Sequence, residues 1–390
     1  KLSAQTSDEQ LAAQYFSSKE YLKAADLYED LSKKHPESIY FYENLIQCYV
    51  QLNDFKSAEK LIDKRIKKYP TQYTYLVDKA WLFQLQGQLN ERDKVFRDLL
   101  DLKLPGEDEV QILANGFLKR RFFEQAIQTY TNARKYLKDE QIFAYNLSEL
   151  YFQSGKLKEG TNELIEIASA EPYMIEEIKN RIALAYQDPS KYAILTELLL
   201  IKLQKNPDNL ACSDMLIWSF SQQRDWRGAM VQAKAIDKRL KEDGKRVMDL
   251  CGLLIENEIY DIAISGLEYI KSLGDNKPYY YIAFENILKC GMLHLRNAGV
   301  APLTEIVKLE KEHLNYLAMT GENWETVPEM LDLAELYVYH LNQLDKGIEL
   351  LNKTITIPGL SPKQLATCKL QLGDAMLIKG EIWEADLLYK

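Results

Sequence analysis

Small residues recur along this chain on a 34-residue grid. Ala24, Ala58, Ala126, Gly160, Ala229 and Ala263 are separated by 34, 68, 34, 69 and 34 positions, so one ruler with a single one-residue slip passes through all six. Pro36, Pro70 and Pro172 lie on a second ruler, 34 and 102 positions apart. Self-similarity at a fixed period of about 20 to 50 residues marks arrays built from one supersecondary unit, and it constrains the fold before any site is considered.

The residues around the grid say what the unit is. Leu11-Ala12 with Tyr15, Leu45-Ile46 with Tyr49, Leu113-Ala114 with Phe117, Leu147-Ser148 with Tyr151, Leu216-Ile217 with Phe220, and Leu250-Cys251 with Leu254 precede the small residue by 9 to 13 positions. A bulky Tyr28, Ile62, Tyr130, Leu164 or Leu267 follows it by four. Such intervals are those of one helix face, so each unit reads as two amphipathic helices of about 12 to 15 residues. The turns between them are expected at Asn53-Asp54, Gln86-Gly87, Ser154-Gly155 and Gln223-Arg224, with a Pro or a loop closing the unit. Composition agrees. With 17 Gly and 11 Pro in 390 residues the chain is too sparsely punctuated for an all-β protein, and its 25 Tyr, 12 Phe and 5 Trp exclude a disordered one.

This succession of Leu, small, aromatic, Ala, aromatic and Pro over 34 residues resembles the tetratricopeptide repeat family. The resemblance is good over residues 5–172 and 208–273. It weakens at 173–207, where Tyr186 and Pro207 remain but Leu195 replaces the small residue, and it is weakest at 274–328. It returns at 329–357 and 361–390, where Leu372-Gly373, Met376, Ala385 and Tyr389 stand in register. The resemblance implies an all-α fold, a right-handed superhelical solenoid of about eleven antiparallel helix pairs. The expected organisation is an array of about eight repeats over 5–273, with 173–207 degenerate, then a divergent long helix pair over 274–328. Two further repeats fill 329–390, and because the chain stops inside a second helix the last is expected to be truncated, as in a fragment.

Stacked pairs share one continuous core, which a lone pair cannot build. Small grid residues let the two helices of a pair approach, and Arg92, which stands on the grid of the third repeat, should loosen that contact or shift its register. In the divergent segment Pro278-Tyr279-Tyr280-Tyr281 opens a helical run through Leu295, and Val300-Ala301-Pro302 starts another to Met319. The three tyrosines fit either a core at a junction or an exposed aromatic patch. Tyr15, Tyr28, Tyr49, Tyr130, Tyr151, Tyr186 and Tyr389 fall in the buried helix-contact columns.

Chemistry-bearing motifs are not found. His35, His294, His313 and His340 are far apart, form no H-x-x-x-H or H-E-x-x-H, and read as surface or capping residues. Cys48, Cys212, Cys251, Cys290 and Cys368 form neither a disulfide framework nor a C-x-x-C motif and read mostly as small buried hydrophobes. No phosphate-binding glycine loop or nucleophile elbow is present. Glu176-Glu177 and Glu107-Asp108-Glu109 fall at helix starts, where the dipole favours carboxylates. The expectation is therefore no enzyme, no cofactor and no metal. A net charge of -9 argues against nucleic acid as partner, and the short run Lys64-Arg65-Ile66-Lys67-Lys68 reads as a solvated helix end. No window reaches the ~18 to 20 unbroken apolar residues of a membrane span. Leu2-Ser3-Ala4-Gln5 resembles the small-residue tail of a bacterial signal peptide, which would make the chain periplasmic or exported, with a cytoplasmic location as the alternative.

What is left is binding. The resemblance implies that the first helix of each pair lines a concave face that grips a partner protein or peptide. By register those positions are Tyr40, Glu43, Gln47, Trp81, Gln84, Gln111, Asn115, Tyr145, Glu149, Phe152, Asp214 and Trp218. Trp81 and Trp218 fit inter-repeat packing as well, and Glu43 and Glu149 a solvated face. Where one subgroup of the family clamps a carboxylate with Lys, Arg and Asn, this chain has Glu9, Ala13, Asn44, Thr74 and Asp78, so a basic carboxylate clamp is missing. The expectation is a non-enzymatic protein-protein interaction scaffold holding an extended or helical segment, by analogy with exported multi-repeat proteins of Gram-negative bacteria that act in secretion or envelope assembly. The alternative is a regulatory or sensory module whose effector part lies beyond Lys390.

Overall fold

The computed structural model describes residues 7–298 and 301–390, so Leu2 to Gln5 and Val300 lie outside the described residues. Among the described residues the regular elements are all helical. Contacts divide the chain into two units, Lys1–Ala185 and Tyr186–Lys390.

In the first unit, helices α1 (Ser7–Ser17), α2 (Tyr21–Lys34), α3 (Ile39–Gln51), α4 (Phe55–Lys68), α5 (Thr74–Leu85), α6 (Leu89–Leu100), α7 (Glu107–Lys119), α8 (Phe123–Leu137), α9 (Ala144–Gln153) and α10 (Leu157–Ala170) form five successive pairs, and α11 (Ile175–Ala185) packs after them. The turn inside each pair repeats the period of the sequence in its backbone. Lys19, Asn53, Gly87, Arg121 and Gly155 stand 34 residues apart, and all five have φ between +56° and +74°. A left-handed residue reverses the chain within three positions. Glycine adopts that conformation freely, and the Lys and Arg that occupy it elsewhere do so under strain.

The grid residues fall where the spacing places them. Ala24, Ala58 and Ala126 are fully buried, and Gly160 brings α10 so near α9 that an added Cβ would lie 2.7 Å from the Phe152 ring and 2.9 Å from the Ser148 carbonyl oxygen. Tyr28, Ile62, Tyr130 and Leu164 are buried beside them. Arg92 does not shift the third pair. Its turn at Gly87 keeps the 34-residue interval, Phe96 four positions on is buried, and the half-buried guanidinium turns to Gln84 Oε1 at 3.0 Å and over the Phe96 ring. The run at Lys64 to Lys68 closes α4, but Arg65 is a correction to its reading as solvated. Arg65 is buried and donates to the carbonyl oxygens of Pro36 and Ser38 at 2.6 and 3.2 Å, which ties α4 to the loop before α3.

The second unit holds α12 (Tyr192–Lys205), α13 (Leu210–Gln222), α14 (Trp226–Leu240), α15 (Lys245–Glu256), α16 (Tyr260–Ser272), α17 (Tyr280–Ala298), α18 (Leu303–Thr320), α19 (Val327–Glu335), α20 (Leu344–Ile355), α21 (Pro362–Lys379) and α22 (Ile382–Tyr389). The left-handed turn returns at Arg224 and Glu258, again 34 apart, and Leu195 is fully buried where a small residue stood in other repeats. Helices α17 and α18 run to 19 and 18 residues. One π-helical turn, Leu336–His340, follows α19.

Of the tyrosines placed in buried columns, Tyr28, Tyr130 and Tyr186 are buried, while Tyr15, Tyr49 and Tyr151 are half-buried. Tyr389 is a correction: its ring covers Gly373 and its hydroxyl donates to Asp374 at 2.6 Å, but 41% of its surface is exposed. Within the trio, Tyr279 and Tyr280 pack on the core of the unit and Tyr281 is exposed. The five cysteines are buried, and none of them is in a disulfide among the described residues. No helix among the described residues is long and apolar enough to cross a membrane.

Candidate functional site

The expected concave positions of the first unit separate into two groups. The first is closed by the protein's own charges. Asp78 on α5 is 4% exposed and accepts from the Tyr42 hydroxyl at 2.9 Å and from Arg120 Nε at 2.7 Å. Arg120, at the end of α7, reaches on to Glu43 of α3 at 3.1 Å and lays its guanidinium 4.1 Å from the Trp81 ring centre, and Lys119 also pairs with Glu43. Burial works against the Arg120 charge, yet Asp78 and Glu43 outweigh it and hold the guanidinium above its ordinary range. Glu43 and Trp81 are thereby engaged inside the unit, where Trp81 packs against the cores on both sides. Gln47 is half-buried, Gln84 accepts from Arg92, and Tyr40 stands exposed at the start of α3, edge-on to Phe41.

The second group meets in a cleft of about 260 Å³ between α7 and α9. Gln111 and Asn115 line it from α7, Asn146, Glu149 and Gln153 from α9, and Tyr130 from α8 forms part of its wall. The amides are already joined: Asn146 donates to Gln111 at 3.2 Å, Gln111 donates to Asn115 at 3.2 Å, and Gln153 donates to Glu149 at 3.2 Å. Tyr130 is 1% exposed and its buried hydroxyl lies beside the Gln111 amide without a well-formed hydrogen bond; burial pushes its pKa up to about 12, against the opposing pull of Gln111, so it stays neutral. Such a group is costly to bury unless something meets it, by about 1–3 kcal/mol. Phe123 and Leu118 add apolar wall.

Tyr145 and Phe152 are half-buried near this cleft without lining it. The Arg181 guanidinium covers the Tyr145 ring at 4.6 Å, and Phe152 is the ring that Gly160 admits. In the second unit Asp214 pairs with Arg246, and Trp218 packs edge-on to Tyr192 with centroids 5.3 Å apart. His313 corrects the reading of the histidines as surface or capping residues. It is fully buried, its Nδ1 lies 2.9 Å from the Leu309 carbonyl oxygen, and its Nε2 has no partner. Burial holds its pKa below the ordinary imidazole value.

The register places Tyr130 in a buried column rather than at a binding position, and it does not single out Asn146, Gln153 or Arg120. Asn146 stands 35 residues after Gln111 and carries an available signal, since nearly equal positions in adjacent repeats face each other. Arg120 carries no such signal, because a long side chain can reach past its own repeat.

Two models of the family described as Tetratricopeptide repeat match the chain, one over residues 15–79 and one over 113–169. Tetratricopeptide repeat protein 21A of Mus musculus is 28% identical over 148 residues, which are 35% of this chain and 11% of that protein, so the chain spans a small part of that relative's length. The crystal structure of yeast Tom70 aligns with 96% of this chain and 96% of its own at a TM-score of 0.33 and 11% identity. The P58(IPK) TPR domain aligns with 96% and 98% at 0.28 and 15%, and Naa15/Naa10 bound to HypK-THB with 97% and 62% at 0.27 and 15%. The sequence matches and the repeated helix-turn-helix geometry mark residues 15–79 and 113–169 as tetratricopeptide repeats.

Proposed function

We propose that the chain is a non-enzymatic scaffold whose first unit grips an extended segment of a partner protein in the cleft between α7 and α9. The observation that carries this reading is a cleft walled by the side-chain amides of Gln111, Asn115, Asn146 and Gln153, with the Tyr130 hydroxyl beside Gln111. A peptide main chain offers the alternating carbonyl and N–H groups that such a wall and such a hydroxyl can meet. Glu149, with no cation among the residues that line the cleft, favours a partner that is neutral or basic there.

The test places a photo-reactive amino acid at Asn115 in the native organism and, as a control, at Lys60 on the outer side of α4. The reading expects a discrete cross-linked protein from position 115 that is lost in Tyr130→Phe and absent from position 60. A pattern that is the same from both positions, or unchanged in Tyr130→Phe, would overturn it. Tyr130→Phe removes only the oxygen, so its melting temperature is expected to hold or rise while partner capture falls. Export, with a role in secretion or envelope assembly, belongs to the same proposal on the strength of Leu2-Ser3-Ala4-Gln5, and cell fractionation of the full-length product decides it.

A further inference from the structure

A second cavity, about 310 Å³, opens in the other unit where the 34-residue period is lost. Helix α17 packs closely along α16, while α18 meets α17 over a shorter stretch, and the cleft lies among the three. Its floor is apolar: Ile264 of α16, Ile287 and Leu295 of α17, and Ile306 and Leu309 of α18. Gly291 keeps the α17 side flat, since a Cβ there would come within 2.6 Å of Leu309 Cδ1.

Charge is confined to the rim, where three carboxylates, Glu268, Glu305 and Glu312, face two ammonium groups, Lys271 and Lys308, beside the His294 imidazole. Glu268 pairs with Lys308 at 3.4 Å and Glu312 with Lys271 at 2.7 Å, and each pair joins α16 to α18 across the cleft. Both ammonium groups are thereby used. Glu305, in the first turn of α18, also lines the cleft, and among the described residues its carboxylate has no hydrogen-bond or ion-pair partner. An apolar floor beside one uncompensated carboxylate selects a ligand with an apolar body and a positive group. The two ion pairs tie α16 to α18, so a helix wedged between them would have to break both, whereas a cavity of about 310 Å³ matches a small molecule.

We propose that this cleft binds a small hydrophobic cation, one ring or a short alkyl chain carrying a single ammonium group that meets Glu305. The site is separate from the α7–α9 cleft and stands whether or not the peptide reading holds.

The experiment follows the Ile and Leu methyl resonances of the full 390-residue chain while 4-phenylbutylamine, 4-phenylbutanol and 4-phenylbutanoate are added in turn. These probes share the apolar body and differ in charge. The expected result is saturable shifts at Ile264, Ile287 and Ile306 with the amine, with the carboxylate about tenfold weaker and the alcohol between them. Glu305→Gln should weaken the amine about threefold and bring it level with the alcohol, without changing the melting temperature by more than a degree or so. Gly291→Leu fills the floor and should abolish binding of all three probes. Equal affinity for amine and carboxylate, an amine affinity indifferent to Glu305→Gln, or shifts that never saturate would each overturn the proposal. Because Glu305→Gln alters only a partnerless surface carboxylate, the test survives even if Gly291→Leu fails to fold.

Discussion

At the scale of single residues, this molecule is defined by charges that it buries. Arg120 sits between Asp78 and Glu43 with Trp81 beneath it, and a buried ion pair is worth little in itself but is expensive to break from one side. Arg120→Met should therefore cost about 3–5 kcal/mol in urea unfolding, because it strands the Asp78 carboxylate. The double variant Arg120→Met with Asp78→Asn should recover most of that loss, and equal losses in both would show that shape rather than charge is at stake. Glu329 offers a second case. It is 8% exposed, one of its oxygens has no hydrogen-bond partner, and burial, with Glu285 and Asp332 nearby, pushes its pKa up to about 7. An acid whose folded pKa lies above its unfolded value keeps a proton that the unfolded chain has already released. Its stabilising effect is therefore complete below the unfolded value and fades as pH rises through the folded one. The advantage of Glu329→Gln over the native chain should grow by about 2–3 kcal/mol between roughly pH 5 and pH 8.5. Parallel stability curves for the two proteins would refute this.

At the scale of elements, the sequence is legible wherever a position answers to its own repeat. A small residue must stand where two helices cross closely, and the left-handed turn residue falls two residues after a helix ends, so the grid of Ala24, Ala58, Ala126, Gly160, Ala229 and Ala263 and the turns at Asn53, Gly87, Gly155 and Arg224 read straight from spacing. Positions whose side chains reach beyond their own pair do not. Glu43 and Trp81 share the first-helix register with Gln111 and Asn115, yet Arg120, two repeats away from Glu43, closes over the first two and leaves the others lining a cleft. His313 escapes the register for a different reason: α18, at 18 residues, is longer than the helices of the regular repeats, and it carries this side chain into the core. A pair of glycines isolates the crossing rule. Gly160→Ala gains helix propensity but drives its Cβ against the Ser148 carbonyl oxygen and the Phe152 ring, so thermal unfolding should show a net loss of about 1–2 kcal/mol. Gly252→Ala, inside α15 with nothing within 4 Å, should instead gain about 0.5–1 kcal/mol. A gain at both positions would mean that the crossing at Gly160 has room to relax.

At the scale of the whole molecule, an array whose helix pairs pack mainly on their neighbours is as continuous as its weakest repeat. That repeat lies at 173–207. The left-handed turn is missing from its place 34 residues after Gly155, which a short 3-10 turn, Pro189–Lys191, occupies instead. Gln187, Asp188, Pro189 and Ser190 are exposed, and Leu195 fills the position of the small residue. The division into two units falls at this point, between Ala185 and Tyr186. Each unit has hydrophobic clusters of its own, around Phe117 and Tyr130 in the first and around Leu254 and Leu267 in the second. Brief digestion with a protease of broad specificity should therefore make its first cut within residues 187–190, since cleavage needs a stretch of backbone that can leave its hydrogen bonds. Both fragments should keep their helical circular dichroism and melt independently after separation. A first cut in one of the three-residue turns, such as Gln86–Gln88, or a fragment that loses its helicity once freed, would show that the two units form one cooperative array and that the degenerate repeat is no weaker than its neighbours.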